Sequence, residues 1–168
     1  MRDDSFHAVY IGVGSNVGKR EENCRKAISS VAACKGCLLD CQSRLYETEP
    51  VGLNEQAWFI NGVVRIRTSL QPKALLIQLQ DIEQAMGRRP GGPRFGPRVL
   101  DLDILFFDDQ IVQTTQLQIP HPRLHKRRFV LKPLCDISPA LVHPALGQTM
   151  QSLLSDLENG GKKVILFQ

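Results

Sequence analysis

The sequence predicts an α+β fold: a ferredoxin-like βαββαβ core with additional C-terminal strands and a helix, the helices packed on the sheet. Three observations predict it. Residues 59–68 and 99–107 alternate or run apolar with strand periodicity, and residues 24–31 and 75–86 repeat with helical periodicity. Turn signals separate these segments. Their order along the chain is β-α-β-β-α-β, the split βαβ pattern. Two helices on one sheet face would leave the other face free for a site.

Ala8–Val13 reads as a short buried strand ending in the turn signal Gly14-Ser15-Asn16. From about Arg20 the period changes. Cys24, Ala27, Ile28 and Val31 fall on one helical face, with Gly36 as a stop. Leu38–Thr48 is a second extended segment, broken by Pro50-Val51-Gly52, and Leu53–Ala57 is loop. In Phe59–Thr68, Ile60, Gly62, Val64 and Ile66 share one face; Phe59, Asn61, Val63, Arg65 and Arg67 share the other. Ser69 or Gln71 caps the next helix, and Pro72 suits its first turn. Leu75, Leu79, Ile82 and Met86 make its apolar stripe, with Gly87 at its end.

Past the second helix lies a basic tract, Arg88-Arg89-Pro90-Gly91-Gly92-Pro93-Arg94-Phe95-Gly96-Pro97-Arg98, whose prolines and glycines exclude a helix. It feeds the strand Val99–Phe107, where Leu100, Leu102, Ile104 and Phe106 are expected on one face and Asp101, Asp103, Leu105 and Phe107 on the other. Asp108-Asp109 reads as a turn. Ile111-Val112 and Leu117–Ile119 are short strand candidates, Pro120-His121-Pro122 opens a loop, and Phe129-Val130-Leu131 is apolar again. Met150, Leu153, Leu154 and Leu157 predict a last amphipathic helix, with Thr149 as its cap and Gly160-Gly161 as its end. Lys162–Gln168 reads either as a final short strand or as the remnant of a tag.

The 168 residues suit a single domain, 1–168, with a core at about 8–158. With 42% hydrophobic and 23% charged residues the composition is that of a globular protein, and a net charge of +4 suits an anionic ligand without demanding nucleic acid. The N-terminus has no signal-peptide core, and no apolar run has membrane-span length. Five cysteines, an odd number, fit a reducing compartment; the cytoplasm and a monomer are expected. Cys34, Cys37 and Cys41 lack a clear fourth ligand and read as small buried residues rather than a metal cluster.

Asp101 and Asp103 carry the strongest chemical signal. Two apart on a strand, they lie roughly 6.6 Å apart along it. Carboxylates that close repel unless a cation sits between them. Hard divalent ions favour carboxylate oxygens and substrate phosphates. The neighbouring arginines suit phosphate, because Arg bonds it bidentately and stays charged when desolvated. Glycines at 91, 92 and 96 would let the loop close over a ligand. Phe59 and Asn61, off the core face, suit stacking and edge-bonding of a flat heterocycle. The Gly12-x-Gly14-x-x-x-Gly18 spacing is wrong for a dinucleotide fingerprint, and no Walker A sequence is present. A nucleic-acid module is the competing reading, since sheets with exposed aromatics and basic loops bind RNA. Aspartates on the open face oppose it.

Several blocks together carry a resemblance. They are residues 10–16 (Tyr10-Ile11-Gly12-Val13-Gly14-Ser15-Asn16), 46–52, Phe59-Ile60-Asn61, Gln80-Asp81-Ile82-Glu83 with Gly87-Arg88, Gly96-Pro97-Arg98-Val99-Leu100-Asp101-Leu102-Asp103-Ile104, and Pro120-His121 through Leu134. The chain resembles the 6-hydroxymethyl-7,8-dihydropterin pyrophosphokinases of folate biosynthesis. The resemblance implies transfer of pyrophosphate from ATP to the pterin hydroxymethyl group, giving AMP, with two Mg²⁺ ions. It implies that Asp101 and Asp103 hold the metals and that Arg88 and Arg98 join them in catalysis. Gln80, Glu83, Arg88, Arg98, Ile104, His121 and Arg127 would contact ATP. Thr48, Pro50, Val51, Gly52, Phe59, Asn61, Phe95 and Phe129 would form the pterin pocket. The partners implied are these small molecules, with no nucleic acid and no membrane. Departures from the family pattern are Pro90 in place of a second loop arginine, Phe95 in place of a tryptophan, Phe59 in place of a tyrosine and Glu49 in place of a proline.

Overall fold

The structure is a computed structural model that describes residues 5–157 and 161–168. Its elements in order are β1 (His7–Ser15), α1 (Arg20–Ala33), β2 (Cys37–Gln42), β3 (Tyr46–Thr48), β4 (Phe59–Thr68), α2 (Pro72–Ala85), β5 (Asp101–Phe107), the short pair β6 (Val112–Gln113) and β7 (Gln118–Ile119), a 3₁₀ turn (Leu124–Lys126), α3 (Arg128–Ile137), α4 (Met150–Asp156) and β8 (Val164–Leu166). It is an α+β fold. The main sheet runs β5-β1-β4-β3-β8, with β2 also paired to β4. Its pairings are all antiparallel. Among the described residues no helix is long and apolar enough to cross a membrane.

Strand alternation sorts the side chains into two cores. Val9, Ile11 and Val13 of β1 join Ile60, Val64 and Ile66 of β4 under α1 and α2, which contribute Cys24, Ala27, Ile28, Val31, Leu75 and Leu79. Tyr10, Val63, Leu105 and Phe106 face the other way and meet Val130, Leu131 and Leu134 of α3 and Leu153 and Leu154 of α4. The second sheet face is therefore only partly open, contrary to the expectation of a free face. Burial of apolar side chains on this face favours covering it. The apolar run at 129–131 belongs to α3, a helix that begins one residue earlier and carries Pro133 inside it.

Two further expectations change, and one open reading, the final strand, resolves. The strand expected at 38–48 is two strands. At the break, the Ser43 backbone N–H donates to the Val63 carbonyl at 2.8 Å, and the Val63 N–H donates to Ser43 Oγ at 2.9 Å. A side-chain acceptor thus replaces a ladder carbonyl, and Leu45 turns inward against Gly62. In β5 the alternation fails after Ile104, because Tyr10 pairs with Phe106 and Ile11 with Ile104. Leu105 is the extra residue of a bulge, which shifts the faces by one. Phe106 accordingly joins Leu105 in the core under α3, and Phe107 joins Leu102 and Ile104 under α1 and α2. Lys162–Gln168 contains β8, which pairs with β3.

The turn signal at Gly14-Ser15 is overridden, because β1 stays paired with β4 through Ser15; other local signals act where they were read. Gln71 is the N-cap of α2, without a side-chain bond, and Pro72 opens the helix. Gly87 takes φ +101° just past its end. Thr149 caps α4 by accepting from the Ser152 N–H at 3.1 Å. Gly160, named as part of that helix's end, lies outside the described residues.

Candidate active site

The open end of the second sheet face forms a cavity of about 290 Å³. Its floor comes from three adjacent strands. Gly12 and Gly14 of β1 lie between Asp103 and Asp101 of β5 on one side and Val63, Gly62 and Asn61 of β4 on the other. The alternation that buries Leu102 and Ile104 under the helices turns Asp101 and Asp103 into this space. The bulge at Leu105 also sets the far wall, because the Leu105 carbonyl accepts from the His121 N–H at 3.0 Å. His121, Arg123, Arg127 and Phe129 all line the cavity.

The electrostatics divide it into two regions. Burial and the Asp101 charge push the Asp103 carboxyl up to about 7, against the opposing pull of Arg127, Arg88 and Arg123. Among the described residues no donor hydrogen-bonds to it. Burial, with Arg127 and Arg123 beside it, pushes His121 down to about 4, so its ring is neutral at physiological pH. Its Nδ1 accepts from the Arg123 N–H at 3.2 Å, which assigns the proton to Nε2. Burial lowers Arg127, but a guanidinium stays charged. This half is a cationic bay around two crowded carboxylates. The other half is flat and weakly polar. There Asn61, buried, donates through Nδ2 to Thr48 Oγ1 at 2.6 Å, and Phe59, Phe129 and Val51 line the walls.

Residues 10–139 match the family described as 7,8-dihydro-6-hydroxymethylpterin-pyrophosphokinase. The chain belongs to that pyrophosphokinase family. It is 45% identical over 128 residues to the 2-amino-4-hydroxy-6-hydroxymethyldihydropteridine pyrophosphokinase of Bacillus subtilis, a match covering 76% of each chain. It is 42% identical over 159 residues to the Folic acid synthesis protein fol1 of Pneumocystis carinii, covering 95% of this chain and 21% of that one. The chain thus spans only 21% of the length of the fungal relatives it matches. In fold it resembles the crystal structure of wild-type Plasmodium falciparum HPPK-DHPS with pteroate, at a TM-score of 0.74 and 16% identity, over 90% of this chain and 42% of that chain.

Of the residues expected in a pyrophosphokinase site, Thr48, Val51, Phe59, Asn61, Arg88, Phe95, Arg98, Asp101, Asp103, His121, Arg127 and Phe129 line the cavity together. Pro50 and Gly52 flank Val51 in the chain without lining it. Gln80 is exposed on α2 and does not line the cavity, and the Ile104 side chain is buried in the core under the helices. Glu83 is buried beneath Arg88 and ion-paired with it. Lining residues that the sequence reading did not assign to the site include Glu49, Arg94 and Arg123. Arg123 follows His121 by two in the Pro120–Phe129 block, so its position was the available signal.

The basic loop is held at both ends. Asn16, 4% exposed, accepts from the Arg98 N–H through Oδ1 at 2.7 Å, and its own N–H donates to the Arg98 carbonyl at 2.9 Å. Asn16 Nδ2 donates to Gln56 Oε1 at 2.9 Å, and Gln56 Nε2 donates to the Phe95 carbonyl at 2.7 Å. Phe95 takes φ +60°, a left-handed conformation that costs a non-glycine residue about 1–2 kcal/mol. Its ring lies 5.0 Å from the guanidinium carbons of both Arg94 and Arg123, and a Cβ added at Gly52 would fall 3.0 Å from it. Glycine at 52 is what lets the two loops close on each other. The arginine loop and the 49–58 loop are therefore one clasped rim around the cavity mouth.

Proposed function

We propose that this cavity transfers the pyrophosphoryl group of ATP to the hydroxymethyl oxygen of 6-hydroxymethyl-7,8-dihydropterin, giving AMP and the pterin diphosphate for folate synthesis. The observation that carries the reading is the junction of two unlike half-sites on one sheet face. Asp101, Asp103 and the arginines adjoin an amide flanked by Phe59 and Phe129. An ATP polyphosphate suits the first half and a flat, hydrogen-bonding heterocycle the second.

The carboxylates fit a divalent cation. Asp101 and Asp103 offer hard oxygen donors, and among the described residues no donor hydrogen-bonds to the buried Asp103 carboxyl. Together they would hold two Mg²⁺ ions. Mg²⁺ bound there would neutralise polyphosphate charge and lower the pKa of the pterin alcohol.

The remaining work falls to the chain itself. Arg88, Arg98 and Arg127 bind phosphate oxygens by charge-assisted hydrogen bonds. His121 offers a neutral Nε2–H beside them. Gln80, Glu83 and Ile104 complete the ATP site, Gln80 and Glu83 from α2 and Ile104 from the strand backbone. Asn61, its Nδ2 committed to Thr48, presents Oδ1 to a ring N–H. Phe59 and Phe129 enclose the ring, and Pro50, Val51, Gly52 and Phe95 close the rim over it. The alcohol oxygen bonds to the β-phosphorus and gives up its proton to solvent, the bond from that phosphorus to the α,β-bridging oxygen breaks, and AMP departs with that oxygen. Such a transfer needs alignment and charge stabilisation more than covalent help from the protein.

The same reading takes residues 1–168 as one pyrophosphokinase domain on a ferredoxin-like core. The order β5-β1-β4-β2, antiparallel with α1 and α2 on one face, supports this topology. The reading also takes the monomer as the acting unit and the cytoplasm as its compartment; the free thiols of all five cysteines suit a reducing environment. The test is product analysis. Mg²⁺-dependent AMP formation that requires the pterin is expected; ADP, or no phosphorus transfer, overturns the reading.

A further inference from the structure

Arg88 is shared between two carboxylates. Its Nη1 donates to Asp101 Oδ1 at 2.9 Å and pairs with the Glu83 carboxylate. Its backbone N–H also donates to the Glu83 carbonyl at 3.0 Å. Glu83 is 5% exposed, so its charge is buried and depends on this partner. Asp101 is at the same time one of the two carboxylates read above as cation ligands. A guanidinium on Asp101 opposes a divalent cation twice, by occupying the oxygen and by like charge. Arg88 also directly follows Gly87, at φ +101°, and opens the glycine- and proline-rich loop.

We propose that Arg88 is an internal counter-ion that makes divalent-cation binding and nucleotide binding depend on each other. The inference rests on the functional reading of the cavity given above. Without nucleotide, Arg88 holds Asp101 and keeps cation affinity low. A polyphosphate offers Arg88 competing oxygen acceptors, and the Asp101 carboxylate is released to the cation. By linkage, the nucleotide tightens the cation by the same factor by which the cation tightens the nucleotide. Glu83 keeps one anchor on Arg88 throughout, so the guanidinium swings between partners without leaving the site. Arg98 is the natural comparison. It lines the same cavity, but among the described residues its guanidinium donates to the Pro97 and Pro93 carbonyls alone, at 3.3 and 3.4 Å.

Mn²⁺ binding to the full chain, followed by electron paramagnetic resonance with and without α,β-methylene-ATP, tests this. The wild-type chain is expected to bind Mn²⁺ at least about 10-fold more tightly with the nucleotide analogue. Arg88→Gln is expected to tighten Mn²⁺ alone by about 5- to 10-fold and to shrink the coupling factor by a similar amount. Arg98→Gln removes the same charge from the cavity and is expected to retain the coupling. Circular dichroism checks folding; if Arg88→Gln does not fold, the double variant Arg88→Gln/Glu83→Gln, which removes the buried charge together with its partner, decides, with an Mn²⁺ affinity tighter than wild type. An unchanged or weaker Mn²⁺ affinity in the folded Arg88 variant, or an equal effect from Arg98→Gln, overturns the coupling alone. No Mn²⁺ binding by the wild-type chain even with nucleotide overturns the cation reading and the coupling with it.

Discussion

Asn61 carries its side-chain oxygen directly over Gly14: a Cβ placed at Gly14 would lie 2.5 Å from Asn61 Oδ1. The two residues pair across β1 and β4, and Asn61 is pinned from behind by its 2.6 Å bond to Thr48. Asn61 therefore cannot swing aside cheaply. Gly14→Ala is expected to displace the amide and raise the pterin KM by about 10-fold, the effect of losing roughly 1.4 kcal/mol of binding. The ATP KM should change far less. Steady-state kinetics with each substrate varied in turn measures the split, and equal losses for both would contradict the assignment of Asn61.

Asp101→Asn and Asp103→Asn address the carboxylate pair. Each is expected to lower kcat by about 10²–10³-fold or more, the scale of losing one preorganised electrostatic partner. The stability effect should run the other way for Asp103. Its carboxyl is raised by burial and by Asp101, so the ionised form burdens the metal-free fold. Asp103→Asn should raise Tm without Mg²⁺, by roughly 2–4 °C for each kcal/mol of repulsion relieved. Scanning calorimetry beside the activity assay checks both signs.

Asn16 ties the arginine loop to the 49–58 loop without facing substrate. It is buried and exchanges two hydrogen bonds with the Arg98 backbone while a third reaches Gln56. Asn16→Ala keeps the backbone bond to the Arg98 carbonyl but deprives the half-buried Arg98 N–H and Gln56 Oε1 of their side-chain partner, at about 1–3 kcal/mol. Faster proteolytic cleavage within 88–98 is expected, with raised KM for both substrates. A variant that keeps the wild-type cleavage rate would show that the clasp does not hold the loop.

Asp136 governs the acid limb of stability. Burial alone would raise its carboxyl, but hydrogen bonds from Arg44 and Tyr46 outweigh burial and hold it below the usual carboxylate range. Tyr46 Oη donates to both carboxylate oxygens, at 2.9 and 2.8 Å. A group whose folded pKa is depressed stabilises fully above its unfolded value and loses that contribution as pH falls through the folded value. Asp136→Asn should therefore cost about 1–2 kcal/mol at neutral pH, with the gap from wild type closing below about pH 4. Tyr46 gives the opposite limb. Burial, and then Asp136, push its phenol up to about 12, so its contribution holds below its ordinary value near 10 and fades as pH rises toward 12. Urea unfolding across pH, for wild type and Asp136→Asn, reads both limbs.

The sequence by itself determined the elements that depend on short-range pattern. Helical periodicity placed Cys24, Ala27, Ile28 and Val31 in the core, and strand periodicity turned Asn61, Asp101 and Asp103 away from Ile60, Leu102 and Ile104. The Gly-Pro-Arg-x-Leu-Asp-Leu-Asp-Ile string and its companion blocks carried the family. Tertiary structure alone decided what depends on partners distant in the chain. The Leu105 bulge exists because β1 and β5 pair with one extra residue, and only that pairing exchanges the faces of Phe106 and Phe107, sending Phe106 under α3 and Phe107 under α1 and α2. Coverage of the second sheet face by α3 and α4, and the arrival of Arg123 beside Phe95, follow from long-range packing. Asp101 reads in the sequence as a metal ligand, but only the fold brings the Arg88 guanidinium onto it. A carboxylate's partner is set by geometry across the sheet and loop, which no local period encodes.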